Sequence, residues 1–147
     1  MKKLLLALSI LFFSHTATAN ESYLFTPLVS YHVDRDMGEC EVNPGLVYQR
    51  FQTNHRFTAI GAFRNSGCDT AALAFVGWET QEEKRIFGVP YGYGVMGGLT
   101  TGYDLPVMAA PYIRIGDRED KLSIQVLTIP HPTKGVYGLG IRYRLGH

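Results

Sequence analysis

The sequence predicts an all-β fold, an eight-stranded antiparallel up-and-down transmembrane β-barrel, and three observations predict it. Bulky apolar residues alternate with glycine or polar residues through most of the chain, which is the period-two pattern of β-strands. The alternating segments are about ten residues long, the length of a tilted strand that crosses a bilayer. There are eight of them, and an even number of antiparallel strands returns both chain ends to one side of a closed barrel.

The N-terminal segment has the three parts of a secretory signal peptide. Lys2 and Lys3 form the charged region, residues 4–13 form the apolar run, and residues 17–19 form a small-x-small cleavage site before Asn20. A buried N-terminal helix, the alternative, would not need these parts in this order. We therefore expect residues 1–19 to be removed and residues 20–147 to form one barrel domain.

Charge and composition narrow the possible partners. Removal of two lysines leaves 12 basic residues against 13 acidic ones, a mature net charge of about −1. A nucleic-acid-binding protein favours a basic stripe, so no nucleic acid is expected. After the signal, no segment has the roughly 18 apolar residues of a transmembrane helix. We also predict no cofactor and no metal, because no spacing of His, Cys, Asp or Glu suits a metal site.

The strands are read from their alternation, which is clearest where Tyr137, Leu139 and Ile141 alternate with Gly138 and Gly140. The predicted strands comprise residues 22–32, 45–52, the two arms of a hairpin at 57–78, 85–100, 106–115, 121–129 and 137–145. We assign the short or charged joints to the inner side of the membrane, at residues 53–55, 81–84 and 116–120. The remaining joints fall on the outer side, at residues 33–44, 66–70, 101–105 and 131–134.

The bulky face of these strands is expected to point outward. A soluble periplasmic barrel of the lipocalin type would also have eight strands, but its apolar face should point inward. Here the bulky apolar face opposes a nearly bare glycine face, which suits lipid outside the barrel better. One feature differs from many outer-membrane barrels, which end on an aromatic residue, because this chain ends Leu145-Gly146-His147.

The glycines that share one face of the predicted strands are expected inside the barrel, and they are Gly88, Gly92, Gly94, Gly98, Gly138 and Gly140. An eight-stranded barrel is normally just filled by its own side chains. Glycine on the inner face would leave a narrow, largely apolar void. Two interpretations stay open: the void is a pocket for an acyl chain, or glycine only lets a small barrel bend sharply.

Four prolines lie inside or at the ends of predicted strands, namely Pro27, Pro44, Pro111 and Pro130. Each removes a hydrogen bond from the β-ladder. Strand termination is sufficient for Pro44 and is the simpler interpretation of Pro130 as well. The alternative is that the missing bonds let the wall part sideways, so that lipid can enter from the bilayer.

The two cysteines of an exported protein predict a disulfide between Cys40 and Cys68. They fall in the first and second outer joints, so the bridge would tie these joints together near His32 and Ser66. Two free thiols are the alternative, and an oxidising compartment disfavours them.

The motifs that carry a family resemblance run through nearly the whole mature chain and comprise Tyr23-Leu24-Phe25-Thr26-Pro27, Ser30-Tyr31-His32, Asn43-Pro44-Gly45, Ala62-Phe63-Arg64-Asn65-Ser66, Gly77-Trp78-Glu79, Leu105-Pro106-Val107, Pro111, Thr128-Ile129-Pro130 and Gly135-Val136-Tyr137. Their spacing is informative, since Pro27 lies five residues before His32 and Gly77 lies eleven after Ser66. In these features the chain resembles the lipid A palmitoyltransferases of Gram-negative outer membranes.

The resemblance implies an enzyme that transfers palmitoyl from a phospholipid to lipid A in the outer leaflet, and so modifies lipopolysaccharide. It implies that His32 and Ser66 are catalytic and that Gly77 is the floor of the acyl pocket. Lateral access would pass the residues that match the family's prolines, which are Pro27, Pro44, Pro111 and Pro130. Gly88 and Gly92 are expected to line the same pocket, and we expect a monomer.

Chemistry agrees with these roles. Transesterification needs a base, and a histidine at the water boundary is suited to it near neutral pH. Alternation predicts that His32 shares the inward face with Ser30, and that Ser66 shares it with Arg64 and Ala62. Arg64 or the backbone amides of the 64–69 tip would then stabilise the oxyanion.

Three features depart from the family. Asn65 stands where the family has an aspartate, and it can still orient a histidine ring by hydrogen bonding. The family's N-terminal amphipathic helix is absent, and the first outer loop is shorter. The alternatives are a non-catalytic barrel that binds lipid or stabilises the envelope, a lipid A deacylase or phospholipase, and a soluble periplasmic ligand carrier.

Overall fold

The computed structural model describes residues 21–33, 40–52, 55–81, 83–130 and 135–146. The predicted signal peptide, residues 1–19, lies outside this part of the chain. The strands in chain order are β1 (Glu21–His32), β2 (Gly45–Phe51), β3 (Arg56–Arg64), β4 (Thr70–Glu79), β5 (Lys84–Ile86), β6 (Val89–Thr100), β7 (Val107–Ile115), β8 (Leu122–Ile129) and β9 (Val136–Arg144). Within the described ranges, no helix has the length and apolar character needed to cross a membrane.

The strands form one closed antiparallel barrel. Neighbours follow the order β4-β3-β2-β1-β9-β8-β7-β6, and β6 pairs back onto β4. The short strand β5 pairs with the start of β6. The predicted eight-stranded transmembrane barrel is therefore confirmed, with one extra short strand. Below, the His32 end is the end where β1 finishes, and the Phe87 end is the opposite end, where β5 turns into β6.

The predicted single strand 85–100 was wrong, and the predicted joint 81–84 is one residue too long, because β5 begins at Lys84. The chain turns at Phe87 and Gly88, whose φ angles are 51° and 83°, so residues 85–100 form a hairpin instead of one strand. Two successive left-handed residues match the right-handed twist of a tight hairpin. The alternation of bulky residues with glycine continues unbroken through this turn, which is why the sequence pattern did not reveal it.

The barrel carries its bulky apolar side chains on the outside, as predicted. Cross-strand partners share one face of a sheet, and outward positions are exposed in register across neighbouring strands. Exposed outward side chains include Tyr48, Ile60, Val76, Val95, Ile113, Ile124, Leu139 and Ile141. This inside-out pattern is that of a barrel with lipid around it.

The interior of the Phe87 half is filled by a polar cluster. The carboxylate of Glu79 accepts hydrogen bonds from Arg142 at 2.6 and 3.3 Å, from Arg114 at 3.1 Å and from the Tyr112 hydroxyl at 2.8 Å. Large apolar side chains, Phe51 among them, are buried beside it. Buried charges are tolerated when they are paired and hydrogen-bonded, so this cluster closes the barrel at the Phe87 end.

The interior of the His32 half is apolar and incompletely filled. Leu73 lies opposite Gly61, and Met108 lies opposite Gly98, on the inward face. Leu73, Met108 and Leu127 pack against the core but are only half-buried. Inward side chains that keep part of their exposure in a closed barrel indicate unoccupied space beside them. The barrel thus has a plugged half and an open, apolar half.

Candidate functional site

His32 and Ser66 meet at the mouth of the open half. His32 is the last residue of β1 and is 6% exposed. Its Nε2 lies 3.0 Å from the Oγ of Ser66, which belongs to the tip between β3 and β4. The structure therefore brings the two sequence-predicted residues into direct hydrogen-bonding contact across 34 positions of the chain.

The predicted disulfide is confirmed, and it fastens the Ser66 tip. Cys40 and Cys68 are bonded, with their Cα atoms 5.4 Å apart. The backbone N–H of Cys40 donates to the carbonyl of Ser66 at 2.8 Å. The segment that follows β1 is thus tied twice to the tip, which holds Ser66 beside His32.

Asn65 bridges two loops, and the hydrogen bonds of its amide do not go to His32. It is 2% exposed, and its Nδ2 donates to the carbonyl of Gly102 at 3.1 Å. Its Oδ1 accepts the backbone N–H of Asp69 at 2.9 Å. Gly102 has a φ of 78°, and a Cβ there would lie 2.6 Å from Nδ2. Asn65 therefore fixes the tip against the β6–β7 loop.

Asn43 supports the site from below, and sequence reasoning did not select it for this role. Its side chain accepts the Ser30 hydroxyl at 2.6 Å and donates to the carbonyl of Cys40 at 3.0 Å. Its backbone N–H donates to the carbonyl of Leu28 at 2.9 Å. The signal available in the sequence was the turn-forming Asn-Pro-Gly triplet.

Arg64 and Ala62 do not point inward, contrary to the prediction. On β3 the inward residue is Phe63, which pairs with Gly45 on β2. Arg64 is exposed on the outward face, and its Nε donates to the carbonyl of Cys68 at 3.4 Å. Ser66 follows the end of the strand, so strand alternation could not assign its face.

The predicted glycine void is confined to the His32 half. Gly92 does face inward, but a Cβ there would lie 2.6 Å from Nη2 of Arg114. At Gly77, the predicted pocket floor, a Cβ would lie 2.5 Å from Cε1 of Phe57. Gly88 lies in the β5–β6 turn and has no atom within 4 Å of such a Cβ, so its assignment to the inner face was wrong. Large side chains therefore fill the glycine positions of the Phe87 half.

A gap in the barrel wall coincides with Pro111 and Pro130. The β7–β8 ladder ends at the pair Tyr112–Leu127. If the β7–β8 register continued, Pro111 would lie opposite Thr128 and Pro130 would lie opposite Ala109. Each pair would need an N–H that proline lacks, so the two prolines remove successive rungs and leave β7 and β8 unpaired toward the His32 end.

A shorter interruption coincides with Pro27. The β1–β2 ladder ends at Phe25–Val47, and its next hydrogen-bonded pair, two residues on, would join Pro27 to Gly45. A bulge follows, after which the ladder resumes as a bridge between Val29 and Val42. Pro44 immediately precedes β2, and its carbonyl accepts the N–H of Arg64 at 2.9 Å.

The arrangement can support proton transfer at the rim of an apolar space. An imidazole next to a hydroxyl is the minimal pair of a base and an activated nucleophile. In the described part of the chain, no three His, Cys, Asp or Glu side chains are grouped as metal ligands. The chemistry that the site offers is therefore that of His32 and Ser66.

Comparison with known proteins supports the fold. No protein-family model matches the chain, and no curated protein matches it. A solved structure described as "De novo design of transmembrane beta-barrels" is similar, with a TM-score of 0.57 and 14% sequence identity over 87% of this chain and 98% of that one. At this identity the similarity concerns the fold alone.

Proposed function

We propose that the protein is an outer-membrane acyltransferase of Gram-negative cells, which moves a palmitoyl-type chain from a phospholipid to lipid A. The observation that carries the proposal is the 3.0 Å contact between His32 Nε2 and Ser66 Oγ above the open apolar half of the barrel. In this orientation the His32 end faces the outer leaflet, where lipid A is found.

The open half supplies a place for the acyl chain. Below the polar residues of its rim, Ser30, Asn43 and Thr100, the inward side chains are apolar, and Leu73, Met108 and Leu127 are only half-buried. The ring of Phe57 against Gly77 and the Glu79 cluster below it close the space. A chain entering from the His32 end would therefore stop near Gly77, with its ester group near Ser66.

The unpaired stretch of β7 and β8 supplies a route for the lipid. A phospholipid keeps its headgroup in water, so its tail must enter sideways from the bilayer. Between Pro111 and Pro130 the wall lacks the ladder bonds that would oppose this movement. The interruption at Pro27 offers a second, shorter opening for the acceptor lipid.

The chemistry runs as two displacements. His32 Nε2 takes the Ser66 proton while Oγ attacks the ester carbonyl of the donor, and the lysophospholipid oxygen leaves with that proton. His32 then takes a proton from a lipid A hydroxyl, whose oxygen attacks the acyl carbon and releases Ser66, which regains the proton. Backbone amides of the tip are the donors available to the oxyanion.

Mass spectrometry of lipid A tests the proposal in cells that express the wild type, His32→Ala or Ser66→Ala. We expect an added palmitoyl mass with the wild type alone. Ser123→Ala is the matched control, because Ser123 is buried on β8 in the plugged half, and it should transfer normally. No added acyl chain with any folded variant would favour a non-catalytic lipid-binding barrel, and free fatty acid in place of acylated lipid A would favour a hydrolase.

A further inference from the structure

The β5–β6 hairpin projects beyond the barrel at the Phe87 end. On one side, the last backbone hydrogen bond is that of the Thr80 N–H to the carbonyl of Tyr93 at 2.9 Å, one residue past the Glu79–Gly94 pair. On the other, the last link to β7 is the N–H of Gly116 donating to the carbonyl of Pro90 at 2.9 Å. The tip therefore has no neighbouring strand except its own partner.

Large apolar side chains occupy this tip. Phe87 is 102% exposed, more than any other large hydrophobic residue in the described ranges, and Ile86 and Val89 are 55% and 48% exposed. Ile86 and Val89 are cross-strand partners, so they share a face. That face is also the outward face of Tyr93 and Val95, and the apolar tip thus extends the lipid-facing surface of the barrel.

Several contacts hold the hairpin in place. Arg85 Nη1 donates to the carbonyl of Gly88 at 3.1 Å and braces the turn. Glu83, just before β5, accepts the N–H of Arg118 at 2.7 Å and Nη1 of Arg114 at 3.4 Å. A tip fixed in this way presents its apolar side chains in a defined position, and exposed apolar surface of this kind marks an interaction site.

Continuity with the lipid-facing surface and the position of Lys84 identify the partner. Lys84 is exposed behind the tip on the same face as Ile86, whereas Arg85 lies on the opposite face, within electrostatic reach of Asp117. The Lys84 ammonium lies 5.4 Å from the centre of the Tyr93 ring, and Tyr93 contacts Trp78. A lysine and aromatic rings beside apolar side chains are typical of a segment at a membrane interface with anionic headgroups.

The reach of the hairpin agrees with this partner. The tip lies about three residues beyond the Pro90–Gly116 contact, which is roughly 10 Å of strand. The headgroup region of one leaflet is about 5–8 Å thick, and strand tilt shortens the axial reach. The tip thus ends at headgroup depth.

We propose that the β5–β6 hairpin is an interfacial anchor. Ile86, Phe87 and Val89 lie among the headgroups and the adjoining acyl chains of the phospholipid leaflet at the Phe87 end, and the Lys84 ammonium binds the phosphates of anionic headgroups. The anchor is independent of acyl transfer, and it restrains the depth and tilt of the barrel in the bilayer.

Tryptophan fluorescence tests the anchor in the full barrel, folded into phosphatidylethanolamine–phosphatidylglycerol vesicles. In a Trp78→Phe background, Phe87→Trp reports on the tip alone, and Glu119→Trp on the exposed β7–β8 turn at the same end is the control. We expect brominated phospholipid to quench the tip several-fold more than the control. The anchor would be overturned if the tryptophan of Phe87→Trp emitted like a water-exposed one and acrylamide quenched it as fully as the control. A protein partner would then remain as the occupant.

A second comparison tests the choice of headgroup. Replacing phosphatidylglycerol by phosphatidylcholine should reduce the quenching of Phe87→Trp. The added substitution Lys84→Gln should abolish this dependence, with folding monitored by heat-modifiable gel mobility. Equal quenching in both lipids, with or without Lys84, would overturn its role in binding phosphate.

Discussion

At the scale of single residues, the amide of Asn65 shows how hydrogen bonds limit a side chain to one role. Its Nδ2 donates to the carbonyl of Gly102, and its Oδ1 accepts the N–H of Asp69. An aspartate would keep the acceptor but would set a negative charge against the carbonyl of Gly102. At this position the amide serves loop geometry, and through it the placement of Ser66 beside His32.

Replacing Asn65 by Asp should therefore destabilise the protein without improving transfer. The buried Gly102 carbonyl would lose its donor, and we expect the free energy of unfolding to fall by about 1–3 kcal/mol. Urea unfolding in vesicles measures this loss. Asp69→Asn is the matched control, because Asp69 is exposed and hydrogen-bonds Asn65 through its backbone N–H and carbonyl. A rise in acyl transfer with unchanged stability would instead assign this position to charge pairing with His32.

At the scale of the strand, β9 passes from the plugged half into the open half. Both Gly138 and Gly140 face inward. A Cβ at Gly140 would lie 2.6 Å from Cζ of Phe25 and 2.6 Å from the carbonyl oxygen of Thr26. A Cβ at Gly138 would meet the Leu127 side chain at 3.0 Å, where the interior is incompletely filled and leucine can shift.

Gly140→Ala should consequently impair folding, whereas Gly138→Ala should be tolerated. Overpacking a filled core costs about 1–3 kcal/mol, and contact with backbone leaves no room for relief at Gly140. The fraction of heat-modifiable, protease-resistant barrel after refolding distinguishes the two. Equal yields would mean that the two halves of the interior are packed alike.

The sequence pattern predicted these strands well because period-two alternation records which side chains face lipid. It failed where chain geometry breaks the period without interrupting the pattern, as at Phe87 and Gly88. It also placed Arg64 on the inward face, because alternation was continued from Arg64 to Ser66. Ser66 lies beyond the end of β3, where alternation no longer applies. The polar cluster around Glu79 was not predicted. In the sequence, Arg142 is only one more residue on the glycine and arginine face of its strand, and its partner Glu79 lies on a strand far away in the chain.

At the scale of the whole molecule, the buried ion-pair cluster and the candidate site lie in opposite halves of the barrel. Glu79, Arg114 and Arg142 are fully buried and mutually hydrogen-bonded in the plugged half. The open half keeps a broken ladder and incomplete packing. Under the proposed function, a rigid base of this kind would allow the other half to open for lipid without unfolding the barrel.

Glu79→Gln should therefore be among the most destabilising single substitutions. It would leave the buried Arg142 without its countercharge and Arg114 with only the partly buried Glu83, and breaking a buried pair costs about 3–5 kcal/mol. The urea midpoint in vesicles measures the loss. Glu119→Gln, on the exposed β7–β8 turn, should leave the midpoint nearly unchanged. A midpoint for Glu79→Gln equal to that of the control would show that the cluster does not hold the barrel together.

The open half should also be visible in hydrogen exchange. The N–H of Thr100 donates to the carbonyl of Pro106, and rungs alternate along antiparallel strands, so the N–H of Ala109 points to β8 beyond the last rung. Its exchange should be faster than that of Leu73, which lies in the continuous β3–β4 and β4–β6 ladders. NMR of the barrel in micelles measures both rates. Ala109 protected as well as Leu73 would mean that the wall is closed at the two prolines, and lipid would then need another route to Ser66.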